Sequence, residues 1–250
     1  MHSQLIFKFT HFLFHKIYWL YKLLYFAFKK KQDARELALM KQFIAPAHII
    51  VDVGANIGFY ASYFSKLTGP KGKVYCFEPD AYNYKRLLQT TRSLTNVLTT
   101  NAAVSSTNGH LDFYLSHDKN VDHRAYAPES YASKHTVDCI SLDSFLGDDV
   151  RIDILKVDVQ GYEMQVYEGA KQLLAANPNL KIFSEFWPYG LQQAGASKES
   201  FLNFFTQLGF LVYHIHETGL TQIIPETLDS FPIDERAYFN VLLSKEAINS

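Results

Sequence analysis

The chain has 250 residues, 48% of them hydrophobic and 20% charged, which suits one sizeable domain with an appendage. Its formal net charge of −1 conceals a division: residues 1–31 carry Lys8, Lys16, Lys22, Lys29, Lys30 and Lys31 and no acid, whereas the remainder holds 18 basic and 25 acidic residues. A basic head on an acidic body implies an anionic partner for the head alone and excludes nucleic acid gripping the whole domain. Cys76 and Cys139 each fall in a strand-like run, so no disulfide framework is indicated and a reducing, cytoplasmic setting is the default. No Cys/His spacing matches a zinc site.

The head, "QLIFKFTHFLFHKIYWLYKLLYFAFKKK", is apolar but broken by Lys8, His11, His15, Lys16 and Lys22. That interruption argues against a clean membrane span, and no small-residue cleavage site marks a signal peptide. At about 100° per residue, Lys8, His11, His15, Lys22 and Lys29 share one stripe, from which only Lys16 departs clearly. Residues 1–31 therefore predict an amphipathic helix lying peripherally on an anionic membrane, its lysines snorkelling to the headgroups. The alternatives are a helix packed on the body or on a second subunit, and a single span. Residues 32–47 read as a connecting helix ending near Pro46.

From residue 48 to 250, strands alternate with helices. "HIIVDVGA" and "GKVYCFEPD" are strands, each followed by a helical run. "NVLTTNAAVSS" and "HLDFYLSH" are strands flanking an Asn108-Gly109 turn, and a polar stretch through residues 118–135 interrupts the rhythm. "TVDCISL" and "RIDILKVDV" resume as strands. "YEMQVYEGAKQLLAAN" reads as one helix with Val166, Ala170, Leu173 and Leu174 on its core face. "LKIFSEFW", a helix over "KESFLNFFTQLGF", and a closing antiparallel pair, "LVYHIHE" and "AYFNVLLS", complete an α/β layer structure with a mostly parallel sheet.

The exit of the first strand carries the first functional signal. A dinucleotide fingerprint needs G-x-G-x-x-G so that backbone approaches a pyrophosphate. Here the pattern is Asp52-x-Gly54-x-x-x-Gly58, with Asn56 in place of the phosphate-facing glycine and no P-loop lysine. Glu78 ends the second strand, where a carboxylate accepts ribose hydroxyls and is poorly placed beside a 2′-phosphate. Together they predict an adenosine ligand without phosphates. S-adenosylmethionine fits, its sulfonium favoured by acids such as Asp52 and Asp158.

"DILKVDVQGYE", residues 153–163, is the second signal, because it sets Lys156, Asp158, Gly161 and Glu163 at and beyond a buried strand end. Lys156 reads equally as a structural partner of Asp158, and Asp158 as a cap for the next helix. With "VDVGANIGFY", "FEPD" followed by Asn83, "NAAVSS" and "ISLDSFL", this run resembles the FkbM family of S-adenosylmethionine-dependent methyltransferases, in the expected order over about residues 48–245. The resemblance implies a class I methyltransferase (Rossmann-like) fold, with a seven-stranded sheet parallel except for one strand near the end. It also implies methyl transfer to oxygen on a sugar, glycolipid or polyketide hydroxyl. It puts Asp52, Gly54, Asn56 and Gly58 around the methionine part of the donor, Glu78 on the ribose, and Asn101 and Ala102 near the adenine. Asp158, Gly161 and Glu163 fall beside the methyl group or acceptor. Gln160 departs from the family's usual Glu, which leaves that position a hydrogen-bonding role. No D/N-P-P-Y motif follows the strand, which disfavours base methylation of nucleic acid.

Asp158 is the first candidate base. His123 stands with His117 and His135 as an alternative in the polar stretch, which with Arg124 reads as a lid over the acceptor or as an exposed loop. Glu185 and Trp187, in "SEFWP", are expected to border the acceptor pocket with Gln160 and Glu163. Trp187 either stacks on a sugar face or belongs to the core. The competing functions are a non-catalytic protein binding the cofactor or a partner at the membrane, and a nicotinamide-dependent oxidoreductase.

Overall fold

The computed structural model describes residues 12–116, 123–128, 130–147 and 150–248. Its centre is an eight-stranded sheet. The strands are β1 (Ile49–Val53), β2 (Lys73–Phe77), β3 (Val97–Thr100), β7 (Ile154–Val157), β8 (Lys181–Phe186), β9 (Leu211–His216), β10 (Gly219–Ile223) and β11 (Phe239–Ser244), in the order β10-β9-β11-β8-β7-β1-β2-β3. The run from β3 to β8 is parallel, and β11 is antiparallel to both β8 and β9. The expected seven strands gain an eighth, β10, which returns on β9 by a tight turn. Its sequence, Gly-Leu-Thr-Gln-Ile, is too polar to announce a strand, but an edge strand needs to bury little.

The buried strands read as near-continuous apolar runs because both sheet faces are covered. Ile50 faces one core with Phe64, Phe183 and Leu242; Val51 and Val53 face the other with Leu155, Val166 and Phe205. The first core is roofed by α2 (Ala34–Phe43) and α3 (Phe59–Thr68), whose Leu37, Met40, Ala61 and Phe64 sides are buried. Asp52 and Lys156 are direct register partners on that same face, so the sheet carries a buried acid beside a buried cation.

A separate three-stranded sheet takes up the middle of the chain: β5 (Gly109–Leu115) pairs antiparallel with β6 (Ser133–Ile140), which pairs parallel with the short β4 (Ala103–Val104). The runs on either side of Asn108-Gly109 therefore do not pair with each other: the first is split into β3, which pairs with β2, and β4, which pairs with β6, and the second, β5, pairs with β6. Of the polar stretch, residues 133–135 open β6, and the described residues 123–128 and 130–132 lie between β5 and β6. The stretch is tied back by mutual backbone hydrogen bonds of 2.8 and 3.0 Å between Tyr114 and Arg124.

The single helix expected over residues 162–177 is two: α6 (Glu163–Glu168) and α7 (Lys171–Ala176). A Cβ on Gly169 would lie 2.1 Å from the Ser105 carbonyl oxygen, so the chain can pass β4 there only as glycine. The new helix start is capped from α5 (Leu142–Leu146), whose Asp143 carboxylate accepts the Gln172 and Leu173 N–H groups at 3.1 and 2.9 Å. The expected core face of Val166, Ala170, Leu173 and Leu174 is buried nonetheless.

The N-terminal segment packs on the body. A helical turn at residues 12–16 breaks at Ile17, and α1 (Tyr18–Gln32) follows. Arg86 of α4 (Ala81–Thr91) donates to the Phe14 carbonyl at 2.8 Å and stacks 4.1 Å from the Tyr18 ring. Phe26 meets Phe59 edge-on at 5.2 Å. This corrects the expected orientation of the polar stripe. Lys29 turns inward to Asp33 at 2.6 Å and Lys22 lies over Phe26, while Trp19, Leu23, Leu24 and Phe28 face outward with Lys16, Lys30 and Lys31. Lys8, His11 and the rest of residues 1–11 lie outside the described residues. Among those described, no helix is long and apolar enough to cross a membrane.

The close approach at Gly169 yields a prediction. Gly169→Ala should destabilise the protein by about 1–3 kcal/mol, as overpacking against fixed backbone does. Urea unfolding checks this; an unchanged midpoint would mean that the contact with Ser105 is slack.

Candidate active site

A cavity of about 920 Å³ opens over the carboxyl ends of the central strands, where strand order reverses between β1 and β7. Its floor is the turn after β1. Gly54 has a left-handed φ of 82°, and a Cβ there would lie 2.0 Å from the Asp158 carbonyl oxygen, so the turn passes β7 only without a side chain. Every N–H from Gly54 to Gly58 is spent inside the protein. Gly54 and Ala55 both donate to the Phe77 carbonyl at 3.0 Å, and Gly58 donates to that of Ala55 at 2.9 Å. Asn56 donates to Glu78 at 2.8 Å, and Ile57 to the Asn56 side chain at 2.7 Å. A phosphate cradle needs those donors free; here none remains.

Glu78 holds the turn in place. One carboxylate oxygen accepts the Asn56 N–H and the other the Asp80 N–H at 2.9 Å, which joins the β1 exit to the β2 exit. Each oxygen keeps a second lone pair, and the residue lines the cavity. Burial pushes its carboxyl up to about 8; the two N–H bonds oppose this and the Asp80 charge adds to it. Asn56 and Ala102 are also cavity walls, joined by Asn83 at the start of α4. Asn101 and Gly58 are not. Asn101 spends its amide on the Glu78 and Pro79 carbonyls, at 2.8 and 3.1 Å, bracing the loop behind the wall. Gly58 is needed for packing: its Cβ would press within 2.9 Å of Leu87.

The opposite wall follows β7. Asp158 reaches Lys156 at 3.2 Å, keeps 35% of its side chain exposed, and faces the cavity. Burial would raise its carboxyl, but Lys156, and after it Lys29 and Gln160, hold it below the usual range. It caps no helix; α6 begins after Tyr162, its N-cap residue, without a side-chain cap. Lys156 lies 4.4 Å from the Tyr60 ring, and burial of its ammonium is outweighed by Asp158, Glu36 and Asp52, which raise it. The Tyr60 hydroxyl donates toward Asp33 and Glu36 at 2.8 and 3.0 Å, and Glu36 also accepts from Asn240 at 2.7 Å. One polar network thus joins α1, α2, α3, β7 and β11. Asp52 lies beneath the turn, fully buried, and neither of its carboxylate oxygens has a hydrogen-bond partner among the described residues. Burial pushes it up to about 7 despite Lys156. It supports the wall and does not form it.

Gln160 explains its departure from the usual Glu. In a left-handed turn with φ of 57°, it donates to Asp158 at 3.1 Å and to Glu185 at 3.4 Å. A carboxylate there would face two others; the amide links them instead. Gln160 and Glu185 line the cavity. Glu163 does not. It is fully buried and accepts the Val159 and Gly161 N–H groups at 3.2 and 3.1 Å, bracing the loop rather than meeting an acceptor. Burial pushes it up to about 7. Gly161 is a packing glycine, since its Cβ would lie 2.6 Å from the Gly190 backbone.

Trp187 lines the cavity but is only 4% exposed. Its indole N–H donates to the Glu235 carbonyl at 3.1 Å, and the Arg124 guanidinium sits 5.0 Å from its ring. Its faces belong to the wall and leave no open stacking platform. His123 also lines the cavity, and its Nδ1 accepts the Ser116 N–H at 3.1 Å. A neutral imidazole bound that way carries its proton on Nε2, which then donates and does not accept. Of the two candidate bases, the geometry favours Asp158. His135 bonds Ser133 on the exposed hairpin, away from the cavity, and His117 lies outside the described residues.

Sequence reasoning missed the wall built by α1. Tyr25, Phe28, Lys29 and Gln32, spaced i, i+3, i+4 and i+7, line the cavity, as do Arg236 and Tyr238. The Lys29–Asp33 spacing was the available signal, because an acid four residues beyond a lysine marks the face that pairs within the helix.

A doubly wound sheet with its crevice floored by a phosphate-free turn defines the class I methyltransferase fold. The chain belongs to the methyltransferase FkbM domain family, whose pattern it matches over residues 52–212. It is 28% identical over 146 residues to the 2-O-methyltransferase NoeI of Sinorhizobium fredii, covering 52% of this chain and 60% of that protein. It is 30% identical over 130 residues to the hexuronic acid methyltransferase AglP of Haloferax volcanii, covering 50% and 51%. The chain thus spans only part of the length of each. An FkbM methyltransferase structure from Methylobacillus flagellatus shares the fold, with a TM-score of 0.51 at 15% identity over 79% of this chain and 43% of that one.

Methyl transfer in this family draws on S-adenosylmethionine, and the residues present fit that donor. Glu78 would hold the ribose, the turn offers nothing to a phosphate, and the Asp158 carboxylate, which faces the same cavity, would favour the positively charged sulfur.

The buried carboxyls give the ligand-free protein a pH signature. Glu36, Asp52, Glu78 and Glu163 all keep their protons to about 7–8 when folded. The unfolded chain releases them near 4, so stability from these groups is fully present below that and falls as pH rises through 7–8. The Tm should drop between about pH 5 and pH 8.5. Glu163→Gln, which cannot ionise, should lose part of that slope in scanning calorimetry. An identical slope would mean that Glu163 is already charged in the fold.

Proposed function

We propose that this protein is an S-adenosylmethionine-dependent O-methyltransferase acting on a hydroxyl of a sugar-type acceptor. The observation that carries the reading is the turn from Gly54 to Gly58, with its N–H groups spent and carboxylates at both flanks. The same observation counts against a nicotinamide-dependent oxidoreductase, whose pyrophosphate needs the missing donors. The relative named as a 2-O-methyltransferase supports oxygen as the methyl acceptor, and the one named as a hexuronic acid methyltransferase supports a sugar-type acceptor.

Bound here, S-adenosylmethionine supplies a methyl carbon made electrophilic by positive sulfur. Glu78 holds the ribose, while Asn56 and Ala102 bound the nucleoside. Asp158, kept ionised by Lys156 and steadied by Gln160, attracts the sulfonium and takes the acceptor hydroxyl proton. As a carboxylate held below its usual range, it is a weak base. It would accept that proton only once the acceptor oxygen, displacing a neutral thioether from the methyl carbon, has become strongly acidic. Glu185, joined to Asp158 through Gln160, orients the acceptor, and Arg124 and Trp187 close the wall behind it. Alignment and exclusion of water carry most of the rate.

The same reading includes peripheral association with an anionic membrane through the N-terminal segment. It is supported by the outward Trp19, Leu23, Leu24 and Phe28 and the lysines among them.

Two substitutions test the assignment. Asp158→Asn should lower kcat by about 10²–10⁴-fold, and weaken S-adenosylmethionine while leaving the uncharged S-adenosylhomocysteine nearly unaffected in calorimetric titration. Equal loss for both ligands would remove Asp158 from the sulfonium. Glu78→Ala should weaken both ligands by about 1–3 kcal/mol through lost ribose bonds; unchanged affinity would take Glu78 out of the site.

A further inference from the structure

The helix that presents an apolar face to solvent is also the helix that walls the cavity. At about 100° per residue, Tyr25, Lys29 and Gln32 occupy one side of α1, and Trp19, Leu23, Ala27 and Leu24 the other. Phe28 stands at the seam: it lines the cavity and is 61% exposed. Tyr238 likewise lines the cavity and is 55% exposed, in a segment whose Ile233, Asp234, Glu235 and Arg236 are also exposed. Two half-exposed aromatic side chains thus belong to the cavity lining. The α1 side of that lining continues into a surface where Trp19, Leu23 and Leu24 alternate with Lys16, Lys30 and Lys31. Acids are absent from residues 1–31, so the charges this segment contributes to the surface are of one sign. Apolar side chains rimmed by cations match the interface of an anionic bilayer, where rings and aliphatic chains enter the headgroup layer and lysines meet phosphate.

We propose that α1 seats the protein on an anionic bilayer with the cavity mouth at the lipid–water boundary, so that the acceptor hydroxyl belongs to an amphiphile whose tail stays in the membrane. The inference rests on the methyltransferase reading above and names its acceptor class. The polar head enters between Phe28 and Tyr238 to reach Asp158 and Gln160, and the tail remains along Phe28 and Leu24. Lys29 gains a position in this arrangement. Paired with Asp33 on the inner face of α1, it carries positive charge into the mouth, where an anionic head group passes.

Both native cysteines are buried, so a single introduced thiol can be labelled selectively. An environment-sensitive fluorophore would be placed in turn on Leu23→Cys, Tyr238→Cys and, as a control, Lys71→Cys. Lys71 lies in the turn entering β2, at the opposite end of the sheet from the cavity. On vesicles of phosphatidylglycerol and phosphatidylcholine, emission should shift to the blue at positions 23 and 238 and stay constant at 71. It should not shift at any position on phosphatidylcholine alone. No shift at 23 and 238, with S-adenosylhomocysteine still bound, would overturn the seating while leaving the donor site intact. In a second arm, the protein, methyl-tritiated donor and a lysate of its native cells are incubated and then partitioned between chloroform–methanol and water. Label in the organic phase is the expected result. Label confined to water would overturn the amphiphilic acceptor, and no label in either phase would overturn the methyltransferase reading beneath it.

Discussion

One buried acid ties the exits of β1 and β2 together beneath the cavity. Glu78 takes an N–H from the turn after β1 on one oxygen and an N–H from the start of α4 on the other. Strand ends are otherwise free to splay, and this bridge fixes the distance between two of them. A group so buried pays for its charge, which is why its proton is held up to about 8. The residue is a clamp that also lines the cavity: its two accepted N–H bonds set the turn, and in the proposed function it is also the residue that meets the ribose.

The other end depends on a different balance. Lys156 and Asp158 form a partly buried pair with the surplus of negative charge nearby relieved by protons on Glu36 and Asp52. Tyr60 extends this network to Asp33 and through it to Lys29 of α1. Such networks specify geometry more than they stabilise it. Here the result is that the segment outside the family match is fastened to the Asp158 wall of the cavity by hydrogen bonds and an ion pair. It is part of the chamber and more than an attachment beside it.

What the sequence made legible was local. The strands β1, β2 and β7, the glycine turn, the carboxylate closing β2 and the charged run after β7 are all signals carried by a few adjacent residues. What it concealed was long-range contact. The break between α6 and α7 comes from the nearness of Gly169 to Ser105, sixty-odd positions away in a different sheet. The roles of Glu163, Asn101 and Gly58 could be assigned only once it was clear which neighbours occupy their atoms. The wall built by Tyr25 and Lys29 depends on how α1 is laid on α3 and α4 by Phe26 and Tyr18. A helical wheel gives the relative positions of residues around the helix but not which side meets the body, and the inward turn of Lys29 follows from the acid waiting at Asp33.

The saturated hydrogen bonding of the turn has a consequence for the company this site keeps. Adenine compounds bearing phosphate chains are the commonest of their kind in any living cell, and each of them brings anionic oxygens that would have to be buried on this floor without a single backbone partner. A pocket that has given away its donors in advance discriminates by omission. It needs no residue to repel such competitors, and a methylated thioether nucleoside far scarcer than they are can still find it vacant.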